Sequence, residues 1–592
     1  MDKVLRHLLL KAEKPARYVG GEYNQPEIKK EGVRFCMCMP DVYEVGMSNT
    51  GLRILYHLLN DTDGVECERC FAPAVDFGDI LRSADYPLFS LETQTPLKDF
   101  DLVGFSVQYE LLYSNILYML DLAKIPFYAK DRADSFPILL AGGPCSVNPE
   151  PFADFFDIIS VGEGEETLPA LARLYAKHKA KPNGFDKRRF LIEAQKIEGI
   201  YVPAFNRPGR RKTVKKAVVK DFDKSYYPTK QIVPSIEAVH DRAMVELYRG
   251  CANGCRFCQA GFWYRPLRYR KVDTLVDLCE ETVINTGYDE ISLGSLSTGD
   301  YKGIYELMGG IKACAEKYKV HFALPSMRLD TYSAELTQEA RKSSLTFAPE
   351  AGTQRLRNVI NKNVTEEDIL RSVEIAFESG YQSVKFYFML GLPTETKEDL
   401  DGIVDICRKV KKKYREMHNY KGAPNISISC AVFVPKPFTP FQWADQLSID
   451  EMLERQVYLR TALKTVKCVD FHYHDNTTSR IEGVFARGDR RLAKVIETAY
   501  KMGAKMDGWT EHFKYDVWIK AFEECGIDPD SYTKGKKVGA KLPWDFIDCG
   551  VHPEYFIREK ELSDKAVATP SCNKGCRGCG CKSICDCNGW KE

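Results

Sequence analysis

Residues 249–266 read RGCANGCRFCQAGFWYRP. Cys251, Cys255 and Cys258 stand at C-x3-C-x2-C spacing, directly after the apolar run AMVELYRG (243–250), which predicts a strand. Gly and Asn in this loop allow three thiolates to fold around one metal centre. Three close ligands are one short of the four that a closed zinc site takes. They match a four-iron cluster whose remaining iron stays open to an outside ligand, which points to chemistry more than scaffolding. A zinc ion completed by a distant Cys or His is the alternative.

Outward from this loop the sequence keeps an α/β rhythm. Further strands are predicted at EISLGSL (290–296), VHFALPS (320–326), SLTFAPE (344–350), SVKFYFMLG (383–391) and ISISCAVFVP (426–435), with helical patterns such as VDTLVDLCEETVINTG and ILRSVEIAFESG between them. Six βα units in series predict a full or partial barrel with its active residues at the strand carboxyl ends. Ahead of it, VRFCMCM (33–39), DLVGFSV (101–107), PILLAGG (137–143) and FDIISVG (156–162) alternate with the helical LRILYHLLN and LLYSNILYMLDLA, the pattern of a doubly wound sheet. The expected divisions are a helical lead-in (1–30), a Rossmann-like domain (31–195), a linker (196–240), the barrel (241–445), an α-rich region (446–568) and a Cys-rich tail (569–592).

The chain has 592 residues, 44% hydrophobic and 28% charged, ample for packed cores. Lys plus Arg number 84 against 83 Asp plus Glu, a net charge of +1, which excludes a globally basic nucleic-acid coat. Local basic runs remain at Arg207–Lys220 and YRPLRYRK (264–271), as a solvated connector or as phosphate-contacting arms. No apolar run reaches the ~20 residues of a membrane span, and the N-terminus reads as a short amphipathic helix rather than a signal peptide. Cysteines number 21, an odd and clustered set that fits a reducing cytoplasm with some thiols on metal.

The triplet, with Phe257 before its last Cys, resembles the radical S-adenosylmethionine (SAM) superfamily, and the resemblance covers the six βα units. It implies that Cys251, Cys255 and Cys258 ligate a 4Fe-4S cluster whose open iron takes the amino and carboxylate groups of SAM. It further implies reductive cleavage to a 5′-deoxyadenosyl radical, with electrons from a donor such as flavodoxin or ferredoxin. Ser297, Thr298, Gly299 and Asp300 stand where the family has a Gly-Gly-Glu-like stretch near the SAM amine, though they depart from that pattern. Glu350 and Arg355 are candidates for the SAM ribose and carboxylate, and GLPTET, from Gly391, for the loop under the adenine. Singly, each is also an ordinary cap or turn.

In the N-terminal domain, Asp41, Tyr43 and Gly46 follow the first strand, Ser106 and Gln108 another, and Gly142-Gly143 and Gly162-Glu163-Gly164 two more. Their order resembles a cobalamin-binding domain, where D-x-H-x-x-G carries the lower axial His. Tyr43 replaces that His, so the resemblance implies a corrinoid bound with its base displaced and no His below. A flavodoxin-like domain with another ligand or none is the alternative. The runs PDVYEVGMSNTGLRILYHLLN, AGGPCSVNPEPFADFFD and ARGDRRLAKVI are similar to a bacterial family of cobalamin-binding radical SAM proteins.

The tail, SCNKGCRGCGCKSICDCNGW, holds six cysteines. Cys572, Cys576 and Cys579 repeat the triplet spacing and Cys581 follows, enough for a second iron–sulfur cluster or a zinc ion, with Cys585 and Cys587 spare. PKPFTPFQW (435–443) is similar to a segment of methylthiotransferases that act on RNA, and is equally a packed exit strand. His472 and His474, on one face if extended, are ligand or surface residues. Together these features imply an oxygen-sensitive enzyme that methylates or alkylates an unactivated carbon; the sequence does not encode the substrate, for which RNA or a ribosome-associated protein is one candidate. The rivals are cobalamin-assisted rearrangement or oxidation of a small molecule, and a non-catalytic iron–sulfur protein.

Overall fold

The computed structural model describes residues 2–182, 184–207, 209, 211–323, 345–419 and 421–584. In the N-terminal sheet, β1 (Val33–Met39), β2 (Val65–Phe71), β3 (Leu102–Ser106), β4 (Ile138–Gly142) and β5 (Ile158–Ser160) run parallel in the order β2-β1-β3-β4-β5. This is a doubly wound order with its switch point between β1 and β3, where the strand ends splay and leave a crevice. The helices Thr50–Asn60 and Tyr113–Leu122 fall where the apolar period places them.

β2 was not legible, because Glu66, Glu68 and Arg69 interrupt its apolar pattern. Glu68 and Arg69 are nonetheless fully buried. Glu68 pairs with Arg34 at 2.5 Å, and Arg69 lies between Glu22 (2.9 Å) and Glu92 (2.6 Å). Pairing offsets the desolvation cost that would otherwise expel these charges from a central layer.

The stretch 196–240 is more than a linker. β6 (Ile200–Tyr201) adds antiparallel to β5, and β7 (Val214–Lys215) pairs with a strand near the far end of the chain. Its basic run is partly spent inside the fold. Arg211 pairs with Glu150, and Lys216, 4% exposed, donates to the carbonyls of Trp263 (2.5 Å) and Arg265 (2.8 Å). The second basic run is buried further: Arg265, Arg268 and Arg270 are 4, 5 and 1% exposed.

The barrel strands are β8 (Ala243–Glu246), β11 (Glu290–Gly294) and β12 (His321–Ala323) in one parallel arc, and β13 (Leu345–Glu350), β14 (Ser383–Leu390), β15 (Asn425–Val432) and β16 (Val469–Tyr473) in another. The short β9 (Tyr248–Arg249) and β10 (Arg268–Tyr269) pair antiparallel and pinch the base of the cysteine loop. The ends of the predicted strands at 324–326 and 344 lie outside the described residues. β16 pairs parallel with β15, so the sheet runs past residue 445 and the boundary expected there falls inside it. His472 and His474 are exposed at its end. PKPFTPFQW is a buried turn rather than a strand, with Phe438 against Trp263.

The α-rich region does not form a core of its own. Helices Asn476–Ala486, Leu492–Lys501 and Tyr515–Glu524 bury Phe485, Ile496 and Trp518 in one core with Tyr113 and Phe152 of the N-terminal domain. Each such side chain contributes roughly 2 kcal/mol by leaving water. Near the end of the chain, β17 (Ile547–Asp548) is the partner of β7, and helix Pro553–Asp564 packs on Gln354–Val359 beside the cysteine loop. Among the described residues no helix is long and apolar enough to cross a membrane.

Candidate active site

The carboxyl ends of the two sheets face one cavity of about 400 Å³. Ser106, Gln108, Gly143, Gly162, Glu163 and Gly164 line it from the N-terminal domain, and Glu246, Tyr248, Arg249, Gly294, Ser295 and Leu296 from the barrel. The Gln108 amide donates to Ser106 Oγ at 2.7 Å, fixing both at the rim. Gly162 has φ +102°, and a Cβ there would lie 2.3 Å from the Ala217 carbonyl, so only glycine lets the chain pass. A smaller cavity of about 50 Å³ opens beside it over Gly104, lined also by Gly142 and Ser160. The Ser160 hydroxyl is buried with no hydrogen-bond partner among the described residues.

Glu163 has a task the sequence did not show. Arg268 donates to both its oxygens at 2.7 Å, Arg249 approaches to 3.5 Å, and the Val219 amide donates at 2.6 Å. Arg249 also reaches Glu165 (2.5 Å) and Glu246 (2.9 Å). This network joins the N-terminal domain to the two strands that flank the cysteine loop. Burial raises the Glu163 carboxyl, but the bonds from Arg268 and the charge of Arg249 outweigh it and hold the group down at about 2.

Asp41, Tyr43 and Gly46 are placed elsewhere. Tyr43 is 2% exposed, donates to Glu22 Oε1 at 3.1 Å and accepts from the Ser235 amide at 3.2 Å. Asp41 accepts from the Val42 amide and the Trp509 indole. Gly46 admits the Phe71 ring, which a Cβ would meet at 2.1 Å. The residues after β1 that do reach the cavity are Asn49, Thr50, Gly51, Ile54 and Leu55. Their signal was the helix N-cap at Asn49, which accepts from Leu52, rather than the D-x-Y-x-x-G run.

The cysteine loop is held from several sides. Arg256, fully buried, pairs with Glu559 at 3.1 Å and donates to the carbonyls of Asn358, Val359 and Val567. Asn361 donates to the Gly254 carbonyl at 3.0 Å. Cys258 caps the helix Gln259–Trp263, its Sγ accepting from the Gly261 amide at 3.4 Å. The three half-buried thiols share one loop. Among the described residues no three His, Cys, Asp or Glu side chains are arranged to hold a single ion. A four-iron cluster takes one thiolate per iron, which three thiols on one loop can supply.

The predicted SAM-contact residues gather at this end of the barrel. Asn253 donates to Asp300 at 2.9 Å, and Tyr248 donates to the Ser297 carbonyl, which tie the turn Thr298–Asp300 to the cysteine loop. The Ser297 hydroxyl is buried with no hydrogen-bond partner among the described residues, while Thr298 pairs with Ser295 at 2.9 Å and Gly299 lies in the turn. Glu350 ends β13 at φ +67°, beside a register shift against β14, a strained position for a non-glycine residue. Burial raises its carboxyl, opposed by Lys362 at 3.3 Å. Lys362 also acts electrostatically on Cys258; no motif announced it. Arg355 is not free: it pairs with Asp399 and donates to the Thr394 carbonyl at 2.9 Å. Gly391, at φ +82°, donates its N–H to Glu395, which burial pushes up to about 7 against that bond and Arg455.

The tail returns to the same loop. The Cys572 amide donates to the Ala252 carbonyl at 2.9 Å, and Thr569 Oγ1 donates to Glu559 at 2.9 Å. Cys572 is half-buried, Cys576 exposed, Cys579 and Cys581 buried; Cys585 and Cys587 lie outside the described residues.

Residues 51–203 match the family described as radical SAM proteins, N-terminal, and residues 245–407 match the radical SAM superfamily. An uncharacterized protein of Methanocaldococcus jannaschii is 30% identical over 451 residues, 75% of this chain and 91% of that one. A tRNA-2-methylthio-N(6)-dimethylallyladenosine synthase of Desulforamulus reducens is 25% identical over 181 residues, 29% of this chain and 40% of that one. The radical SAM methyltransferase TsrM from Kitasatospora setae, solved with cobalamin and a [4Fe-4S] cluster, is similar at a TM-score of 0.45 and 14% identity, covering 67% of this chain and 75% of that one. This chain belongs to the radical SAM superfamily, whose members use a 4Fe-4S cluster and SAM.

Proposed function

We propose that this chain is a cobalamin-dependent radical SAM enzyme that transfers a methyl or related alkyl group to an unactivated carbon. The observation that carries the reading is the cavity to which both sheets turn their strand carboxyl ends, next to the cysteine loop. When bound, the cluster supplies the electron that cleaves SAM, and the corrinoid supplies the alkyl group, chemistry no side chain can perform.

The chain's own residues bind and orient. Cys251, Cys255 and Cys258 are the proposed cluster ligands, with Asn253 and Asp300 locking the neighbouring turn. Lys362 and Glu350 offer one cation and one carboxylate beside Cys258, suited to the carboxylate and ribose of SAM. The glycine turns at Gly143 and Gly162 let main chain approach a wide planar ligand, and the unpartnered Ser160 hydroxyl suits a polar group reaching between the strands. The Glu163–Arg249–Arg268 network sets the distance between the sheets. The proposed electron donor is a low-potential carrier of the flavodoxin or ferredoxin class. Of the basic runs that motivated an RNA substrate, Arg265, Arg268 and Arg270 are buried while Arg207, Lys212, Lys215 and Lys220 stay exposed, and the reading names no nucleic-acid substrate.

The test is anaerobic loading with a corrinoid, followed by product analysis with SAM carrying a deuterated methyl group. The expected result is one corrinoid per chain, a spectrum without a coordinated histidine nitrogen, and deuterated methyl in the product. Absence of corrinoid uptake overturns the reading. Formation of 5′-deoxyadenosine without methyl transfer favours rearrangement or oxidation instead.

A further inference from the structure

A second large cavity, about 380 Å³, lies on the other side of the cysteine loop. Cys251 and Arg265 line it together with Cys572, Cys576, Cys579 and Cys581 of the tail. Arg265 is 4% exposed. Its Nε donates to the Gly261 carbonyl at 3.0 Å and its Nη2 to the Asn253 carbonyl at 3.4 Å. Its Nη1 is buried with no hydrogen-bond partner among the described residues. A buried guanidinium N–H without an acceptor is costly; the group lies over the rings of Phe262 and Tyr555 at 4.8 and 5.6 Å and beside the Cys579 thiol, so a thiolate there is the anionic acceptor within its reach. Tyr555 and then the thiols of Cys579, Cys572 and Cys581 are near enough to act electrostatically on this side chain.

The described part of the tail has little apolar surface of its own and packs Cys579 and Cys581 against the cluster of Val551, Tyr555 and Phe556. Between Ser571 and Ser583 the buried side chains are the thiols of Cys579 and Cys581. Bonds to its main chain hold its outline: the His552 N–H donates to the Cys579 carbonyl at 2.9 Å, and the Arg558 guanidinium to the Arg577 carbonyl at 2.7 Å. Four thiols line one cavity, and those of Cys579 and Cys581 also approach each other, a concentration of ligand groups that suits a bound metal centre. A zinc ion needs its four sulfurs about 4 Å apart, given Zn–S bonds of about 2.3 Å. A polynuclear cluster takes sulfurs set wider apart around a larger volume, and its thiolates and sulfides accept hydrogen bonds from N–H groups.

We propose that Cys572, Cys576, Cys579 and Cys581 hold an iron–sulfur cluster in this cavity, and that Arg265 is a positioning residue donating a hydrogen bond to it from the cavity lining. The inference goes beyond the reading above and needs neither a corrinoid nor methyl transfer.

The test uses the full chain, reconstituted anaerobically with ferrous iron and sulfide. Changing all four tail cysteines to Ser is expected to remove about half of the iron and sulfide, roughly four of each per chain for a cubane. The spectral response of the remaining cluster to SAM should persist. The complementary variant, Cys251, Cys255 and Cys258 all to Ala, is expected to keep the other half. This arm reads the tail even where the Ser variant does not fold. In that background Arg265→Met should lower the midpoint potential of the remaining cluster, and Arg265→Lys should restore part of the shift. Complete loss of iron in the triplet variant overturns the tail cluster while leaving the triplet assignment intact. Unchanged iron in the Ser variant, or loss of zinc in place of iron, overturns it as well. A potential unmoved by Arg265→Met overturns the role of Arg265.

Discussion

The cysteines at 251, 255 and 258 and those at 572, 576 and 579 repeat one spacing in two settings. The first set follows a barrel strand, is pinched by β9 and β10, and is braced by the buried Arg256–Glu559 pair. The second set is wound through Gly575, Gly578 and Gly580, all at positive φ, and is tied down chiefly by main-chain bonds. The difference teaches that spacing selects a ligand type, whereas the scaffold behind it decides whether the loop is ordered before the ligand arrives. The two settings are also physically joined, because Glu559 receives Arg256 from one and Thr569 from the other.

The sharpest test of this contrast is to remove the braced set. Changing Cys251, Cys255 and Cys258 to Ala is expected to abolish 5′-deoxyadenosine formation from SAM under strong reductant, whereas the tail substitutions lower it without abolishing it. Equal loss from either set would erase the distinction.

The next effect is on the joint. Glu559→Ala leaves Arg256 buried without its carboxylate and is expected to cost about 3–5 kcal/mol in denaturant unfolding. It should also loosen the tail, seen as faster proteolysis after Val567. A cost below about 1 kcal/mol would show that the pair does not brace the loop.

A third test uses charge. Glu163 holds Arg249 and Arg268 on either side of the first set, and the tail has no matching clamp among its described residues. The folded-state carboxyl lies below its ordinary value of 4.5, at about 2. Its stabilisation is therefore present above about 4.5 and is lost as pH falls toward about 2. Glu163→Gln is expected to lower stability at pH 7 and to flatten the acid dependence in that window. An unchanged slope would show that the clamp is not charged in the folded protein.

The smallest expected effect is Thr569→Val, which removes the hydroxyl bonds to Glu559. About 1 kcal/mol is expected, read as faster amide exchange across residues 569–581 with SAM cleavage unchanged. Faster exchange in the 251–258 loop as well would mean that the two settings order together.

Much of the strand content was legible because it is local. VRFCMCM and SVKFYFMLG are apolar runs of strand length between turn residues, and they fold as β1 and β14. β2 and β16 were not, since β2 hides buried charges and β16 is a half-exposed edge strand whose identity rests on pairing with β15. In the site, Gly143, Gly162 and the cysteine triplet were legible from turn chemistry and spacing. Glu163 was named as a cofactor contact, yet the structure engages it with two arginines whose significance lay in their distance from it, not in any motif. Tyr43 stands where the motif has its lower His, and its hydroxyl is turned to Glu22 and Ser235, a placement only the packing shows.

By itself the sequence determined the ligand types, the strand order along the chain and the turns that need glycine, because these depend on neighbours a few residues apart. Only the tertiary structure decided that the helices of 476–524 share a core with residues 113–155, and that Arg265 stands between two cysteine sets more than three hundred residues apart. The physical reason is that a buried charge takes its meaning from the groups packed around it. Those groups are set by which surfaces dock to exclude water, a choice made by the whole chain at once.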